Sequence, residues 1–461
     1  MAEQMMQNQA DELVAKQTIP AGYKQTEVGV IPQEWSLISL NSIVDAAAPI
    51  CYGVVQVGKY DEAGIPIIAI KFLKNISTAP LHRTSIKIEK PYVRSRLKKD
   101  DVLISIKGTI GHIGVVPEGF EGNISREIAR VRLRDGVCSR YVAHLLEAPA
   151  TQERISRSVV GTTRLEFSIS AVREFLIPIP INCQEQKQIA DVLSDCDALI
   201  AGLEYLISKK KAIKTATMQQ LLTGHNRLPA FALRPDSTPK GYKSSELGQI
   251  PEDWDVLTYG DIYTFLSTAT NSRADLSSSG DYGYIHYGDI HTEWNHKLDL
   301  SVSELPRVSR NLVSSSFVED GDVIMADASE DYDGIGKSVE ICNVGDDKIV
   351  SGLHTFLLRD KKKLLVDGYR GFLHSIPAVK KIFDRLATGM KVYGISKNNL
   401  IDIPVPLPPK QEQTAIATIL SDMDSELAAL EQKLAKARDV KQGMMQQLLT
   451  GRIRLPLPQE A

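Results

Sequence analysis

The strongest constraint on this chain is that one stretch of it occurs twice without a gap. Residues 184–229 read QEQKQIADVLSDCDALIAGLEYLISKKKAIKTATMQQLLTGHNRLP, and residues 411–456 read QEQTAIATILSDMDSELAALEQKLAKARDVKQGMMQQLLTGRIRLP. Both ends are displaced by the same offset, 411 − 184 = 456 − 229 = 227. A repeat of this length and register outranks any shorter motif. Each copy spaces its apolar residues alternately by three and four, the pattern of an amphipathic helix whose seam faces another helix. The first seam is Ile189, Val192, Leu193, Cys196, Ile200, Leu203, Ile207 and Ile213. The second is Ile416, Ile419, Leu420, Met423, Leu427, Leu430, Leu434 and Val440. Prolines at 178, 180, 404, 406, 408 and 409 stop either helix from starting earlier. Gly224 and Gly451, followed by Pro229 and Pro456, mark the ends.

From Gln184 to Leu222 such a helix would be roughly 58 Å long at ~1.5 Å per residue. One small domain cannot cover a seam of that length, whereas the two copies can cover each other. Two unrelated core helices would have no reason to keep register throughout.

A second repeat precedes each variable region. Gly22-Tyr-Lys-Gln-Thr-Glu-Val-Gly-Val-Ile-Pro-Gln-Glu-Trp35 matches Gly241-Tyr-Lys-Ser-Ser-Glu-Leu-Gly-Gln-Ile-Pro-Glu-Asp-Trp254. Its turn residues and tryptophan predict a docking segment pinned by a buried indole. Between docking segment and proline exit lie two mixed globules, Trp35–Ile177 and Trp254–Asp402. Strand-like runs are expected at Ile65–Ile70, Asp101–Ile106, Ala129–Leu133 and Asp322–Met325, and helices at Arg140–Glu147, Val366–Leu373 and Val379–Leu386. The order is therefore docking segment, globule, proline exit and long helix, twice over. The linker from Pro229 to Gly241 is too short, at roughly 3.5 Å per residue, to run back along a coil of this length. The helices must then pair antiparallel. That pairing places one globule at each end of the coil, relates the halves by a pseudo-two-fold, and returns Leu455-Pro456 to the first globule.

Composition narrows the class. A chain of 461 residues, 43% hydrophobic and 24% charged, has the make-up of an ordinary globular protein. No apolar run reaches the ~20 residues of a bilayer span, and the polar leader, residues 1–21, has no apolar signal core. The five cysteines form no C-x-x-C pair, as expected of reduced cytoplasmic thiols. The net charge of −3 is unevenly spread. The first globule carries 20 Lys/Arg against 14 Asp/Glu, and the second 16 against 22.

Catalytic patterns are missing. Gly334-Ile-Gly-Lys-Ser338 resembles the tail of a phosphate loop, but position 331 holds Asp331 where that pattern needs glycine, so it reads as a charged turn. Gly108-Thr-Ile-Gly111 lacks the third glycine of a dinucleotide fingerprint and reads as a turn beside a ligand surface. His286 and His291 belong to no metal-spaced set. The only Pro-Pro, Pro408-Pro409, follows Leu407 and precedes Lys410, unlike the Asn/Asp-Pro-Pro-aromatic loop of amino-methyltransferases.

Met218-Gln-Gln-Leu-Leu-Thr-Gly224 and Met445-Gln-Gln-Leu-Leu-Thr-Gly451, each followed by Arg-Leu-Pro, resemble the conserved regions of type I restriction–modification specificity subunits. So do the proline exits with Gln-Glu-Gln and the Gly-Tyr-Lys…Ile-Pro…Trp segments. The likeness spans nearly all of residues 22–456 and weakens inside the globules. It implies an α+β fold: two α/β target-recognition domains joined by two long antiparallel helices in a coiled coil, as a pseudo-two-fold internal repeat. The implied divisions are the leader 1–21, recognition domain 22–177, conserved helical region 178–229, linker, docking segment and second recognition domain 230–403, and second helical region with tail 404–461. The implied role is non-catalytic. Each domain reads half of a split double-stranded DNA target, and the coil sets the spacer and docks two methyltransferase subunits. S-adenosylmethionine belongs to those subunits, and ATP with Mg to restriction subunits. No cofactor or metal is expected in this chain, and no membrane contact.

DNA contacts are expected from loop cations for phosphates and from polar or aromatic side chains for bases. The candidates are Lys59, Lys71, Lys107, Thr109, Arg126, Thr162, Thr163 and Arg164 in the first globule. In the second they are Asn271, Arg273, Tyr284, His286, Lys337, Lys391 and Tyr393. Lys361–Lys363 and Lys380-Lys381 read as solvated faces. Two other readings remain open to the residues alone: a coiled-coil adaptor for two protein partners, and a fragment of a self-sufficient restriction–methylation enzyme.

Overall fold

A computed structural model describes residues 19–161, 165–331, 334–387, 389 and 392–456. The chain forms two compact units, Met1–Glu204 with Gln432–Ala461, and Tyr205–Glu431. Both predicted helices are present, Cys183–Thr223 with 41 residues and Lys410–Leu448 with 39. Each crosses the unit boundary, so each unit holds half of either helix.

Within each unit the two half-helices run antiparallel, as their ion pairs show. In the first unit Asp197 pairs with Lys441 and Glu204 with Arg438. The residue number rises on one helix as it falls on the other. In the second unit Lys211 pairs with Glu431 and Lys214 with Asp424. The same two pairs have been made again, 227 positions apart. Ile189, Leu193, Leu203, Ile207, Ile416, Leu420 and Leu427 are buried, while Cys196, Ile200, Met423, Leu430 and Leu434 are half-buried. The Cys196 thiol lies 3.6 Å from the Met444 sulfur. Ile213 and Val440 depart from the expected seam, since both are 42% exposed. Their places are taken by Lys214 and Lys441, whose stems are buried while their ammonium groups reach Asp424 and Asp197.

The docking segments form hairpins, Tyr23–Thr26 with Gly29–Pro32 and Tyr242–Ser245 with Gly248–Pro251. Behind them Trp35 and Trp254 are buried. In both units the strand after the hairpin pairs antiparallel with the proline exit, Trp35–Ser39 with Leu176–Pro180 and Asp255–Thr258 with Pro404–Leu407. An X-Pro-rich strand can do this because its missing donors lie on a two-stranded edge. Gly224 and Gly451, both at φ +68°, end the long helices, and a Cβ on either would press on Pro251 or Pro32. Tyr242 and Tyr23 donate hydroxyl hydrogen bonds to their carbonyls. Past the second glycine, Leu455 packs on the core of the first unit, and Gln188 donates to the Pro456 carbonyl, so the tail returns to the first globule as expected.

The globule of the first unit has a four-stranded antiparallel sheet in the order Cys51–Tyr52, Ile128–Val131, Val102–Ser105, Ile113–Val115. A smaller sheet orders His82–Thr84, Ile65–Ile68 and Asn123–Ile124. The second unit has a five-stranded sheet, Thr264–Leu266, Thr355–Arg359, Val323–Ala326, Ser338–Cys342 and Lys297–Asp299, and a three-stranded one built on Tyr282–Ile285. The expected helices Arg140–Glu147 and Val379–Leu386 occur as Ser139–Glu147 and Pro377–Leu386. Val366–Leu373 does not form an α-helix. Gly368 sits at φ +80°, the N–H groups of Gly368 and Gly371 go to the Glu340 carboxylate, and only a 3-10 turn, Arg370–Ser375, follows. No helix among the described residues is long and apolar enough to cross a membrane.

Candidate nucleic-acid interface

The central strand of each globule starts with a buried carboxylate and ends in a loop that meets the segment before the proline exit. At the start, Asp101 takes two hydrogen bonds from Arg132, just past the neighbouring strand, and Asp322 takes two from Arg359. Their other acceptor capacity is filled by the N–H groups of Lys98 and Glu319. The guanidinium of Arg132 gains basicity chiefly from the Asp101 hydrogen bond, and that of Arg359 from Asp322. The same clamp thus fixes both heads, and neither arginine was among the expected site residues. The matched Asp101-Val-Leu-Ile104 and Asp322-Val-Ile-Met325 runs carried the signal.

In the first unit the strand Val102–Ser105 is followed by Lys107 and Thr109 on a turn whose Gly108 and Gly111 have φ +71° and +88°. Ile106 donates to the Glu127 carbonyl and accepts from the Phe167 N–H, which joins three segments at one place. Lys107 bridges to Glu166, and Arg126 lies next to Glu127, whose carboxylate it contacts at 3.2 Å. Ile70 lies under Gly108, so Lys71, stacked over Phe72, belongs to the same neighbourhood. Four of the first globule's candidates, Lys71, Lys107, Thr109 and Arg126, are therefore drawn together. Lys59 lies in a separate exposed loop. Thr162, Thr163 and Arg164 lie outside the described residues.

In the second unit the corresponding place is the pair Ala328–Ser329 with Tyr393–Gly394. Around it Tyr287, half-buried, has its ring 4.6 Å from His286, 5.5 Å from His354 and 6.2 Å from His291. His291 donates to the Ala328 carbonyl and accepts, at its own carbonyl, the Lys337 ammonium at 3.0 Å. His354 faces Asp327 at 3.3 Å, and burial holds the Asp327 carboxyl above its usual range. Arg273 pairs with Asp289 beside His286, and burial, helped by that guanidinium, lowers the His286 pKa. Burial likewise lowers the Lys337 ammonium. Arg273 reaches Tyr287 through His286, Lys337 lies against His291 on its other side, and Tyr393 pairs with Ser329 next to Ala328, the acceptor of His291; Tyr287 was not among the expected contacts.

Three candidates are placed otherwise than on an open loop. Tyr284 is fully buried in a strand; its hydroxyl donates to the Asn271 carbonyl and accepts from the Leu353 N–H. Asn271 itself is half-buried and donates to Leu312. His286, 8% exposed, uses its Nδ1 to cap the short helix Tyr287–Thr292 by accepting the Gly288 N–H. Lys391 lies outside the described residues. Gly334–Gly336 is a turn, its Gly334 N–H held by Asp331, as the failed phosphate-loop pattern suggested. No group of three or more metal-ligating side chains occurs among the described residues.

Both clusters offer side chains suited to a polyanion with stacked bases: cations for phosphates, and rings, imidazoles and hydroxyls for base edges and faces. Residues 32–212 and 251–437 each match the type I restriction modification DNA specificity domain, so the chain belongs to that family. It is a non-catalytic DNA-specificity component of a type I restriction–modification system. The putative type I restriction enzyme MjaX specificity subunit of Methanocaldococcus jannaschii is 25% identical over 450 residues, covering 94% of this chain and 97% of its own. The EcoBI specificity subunit of Escherichia coli is 29% identical over 196 residues, 42% of this chain and 41% of its own. The crystal structure of the S subunit from M. genitalium shares the fold, with a TM-score of 0.54 at 15% identity over 90% of this chain and 96% of that one.

Proposed function

We propose that each unit reads one half of a bipartite double-stranded DNA target, and that the helix pair sets the spacer and docks two methyltransferase subunits. The observation that carries this is a scaffold repeated down to its ion pairs, supporting two globules that share a clamp and differ in their loops. A simple adaptor would have no need of that contrast beside cation-and-ring clusters, and the family match tells against it. The proposed contacts are Lys71, Lys107, Thr109 and Arg126 in the first unit, with Arg273, Lys337 and Tyr393 in the second; Lys59, Thr162, Thr163, Arg164 and Lys391 stay candidates from the sequence. Recognition domains at 22–177 and within 230–403, with helical regions 178–229 and 404–461, fit this division of labour.

Chemistry resides in the partners in this reading. Methyltransferase subunits supply S-adenosylmethionine, and restriction subunits supply ATP and Mg, all acting in the cytoplasm. Genome-wide mapping of methylated bases, with and without this gene, should reveal one split motif that disappears with the gene. A methylome that is unchanged by the deletion, or a motif without a spacer, would sink the proposal.

A further inference from the structure

The first unit contains a cavity of about 980 Å³ apart from the loops above. Six arginines line it: Arg83, Arg94, Arg96, Arg130, Arg132 and Arg173. Arg96 is neutralised by Glu89 and Arg132 by Asp101. The other four make no ion pair among the described residues, and the one carboxylate in the lining is Glu121. Arg130 is 2% exposed. Its Nη atoms donate to the carbonyls of Arg94, Ala48 and Pro49 at 2.7–3.0 Å, and its Nε has no partner. The Nε of Arg83 is likewise buried without a partner. Arg173 donates to the Ile50 carbonyl, and Arg94 extends over the ring of Tyr52.

A buried guanidinium facing only carbonyls lacks the counter-charge that normally offsets its desolvation. Holding the Ala48–Pro49 loop and the Arg94 carbonyl accounts for the three hydrogen bonds of Arg130, but not for its idle Nε or for Arg83, Arg94 and Arg173 lining the same space. Two residues after Arg130, Arg132 matches Arg359 of the other clamp, so Leu357 occupies the Arg130 position in the second unit. The buried Arg130 of the cavity is therefore not repeated in the second head, and it falls in the head with the basic surplus. We propose that this cavity is a phosphate-binding site in which Arg83, Arg94 and Arg130 take one phosphate group. Guanidinium forks match phosphate oxygens two at a time, and the volume admits a whole nucleotide. The phosphate could belong to the backbone of the DNA target or to a free nucleotide; only the first source rests on the DNA-reading proposal.

The test compares the full chain with R83Q/R94Q and the charge-retaining R83K/R94K. One arm titrates a deoxynucleoside monophosphate by calorimetry. The other titrates a duplex carrying the mapped target into the complex with methyltransferase subunits, at several salt concentrations. R83Q/R94Q should weaken at least one probe by about fivefold or more, with R83K/R94K nearer the parent. Loss on the duplex alone, with a log–log salt slope shallower by about one or two, assigns the site to backbone phosphate. Loss on the mononucleotide alone assigns it to a free nucleotide. Arg-dependent mononucleotide binding by a complex that ignores the duplex upholds the site and removes the DNA-reading proposal. Unchanged binding of both probes, or no binding of either by the parent, overturns the site. Should the double variant lose its melting transition, R94Q alone, at an exposed position, gives the same comparison.

Discussion

His374 is buried in the second unit, with its Nδ1 2.8 Å from the Ser338 hydroxyl and its ring stacked 5.3 Å from His296. Burial, reinforced by Lys337, pushes its pKa down to about 3, and burial with the charge of His374 also drives His296 well below the usual value. The fold therefore keeps both imidazoles neutral, while the unfolded chain protonates them below pH ~6.5. Stability is complete above that pH and falls as pH drops below ~6.5, by up to ~1.4 kcal/mol per pH unit for each histidine, the His374 share levelling off near pH ~3. Melting followed from pH 7.5 to 5 should show this loss, and His374→Gln should flatten it. An identical pH slope in the variant would refute the assignment. The histidines were visible in the sequence, but their burial was not, because it depends on the 3-10 turn that replaced a predicted helix.

At the scale of elements, the ends of the long helices are tied to the docking hairpins by matched arginines. Arg227 joins Glu412 and Asp253, and Glu412 also accepts the Trp254 indole N–H. Arg454 joins Glu185 and Glu34. Sequence register foretold this equivalence, since Arg-Leu-Pro and Gln-Glu-Gln recur together. It could not foretell the difference in burial: the Arg227 side chain is 5% exposed and that of Arg454 36%. Arg227→Ala strands a buried Glu412 charge and should cost about 3–5 kcal/mol. Arg454→Ala also leaves a buried partner, Glu185, but at a position open enough for water to take the place of the guanidinium, and should cost less, about 1–2 kcal/mol. Urea unfolding of the two variants checks this, and equal losses would contradict it.

For the whole molecule, the proposed ruler role makes a prediction that no single contact can. Inserting one turn, ~4 residues or ~6 Å, into both helices at matched positions should lengthen the DNA spacer by about one or two base pairs while leaving both half-sites unchanged. Methylation mapping of the insertion variant reads this directly. A spacer of the original length would mean that the helices do not set the distance.

The sequence by itself determined the duplicated frame: two long helices, their proline-bounded starts and glycine ends, the tryptophan docking segments, and antiparallel pairing through a short linker. These follow from periodicity, backbone chemistry and chain length, all local or countable. Tertiary structure decided where side chains spend their charge. A strict heptad from Ile207 reaches Lys210 and Lys214, not Ile213, and only the facing Asp424 makes a buried lysine stem tolerable there. Tyr284 went to the core because Asn271 and Leu353 satisfy its hydroxyl at both ends. The arginine cavity gathers residues from segments far apart in the chain, whose meeting depends on strand order that no pattern of spacing encodes.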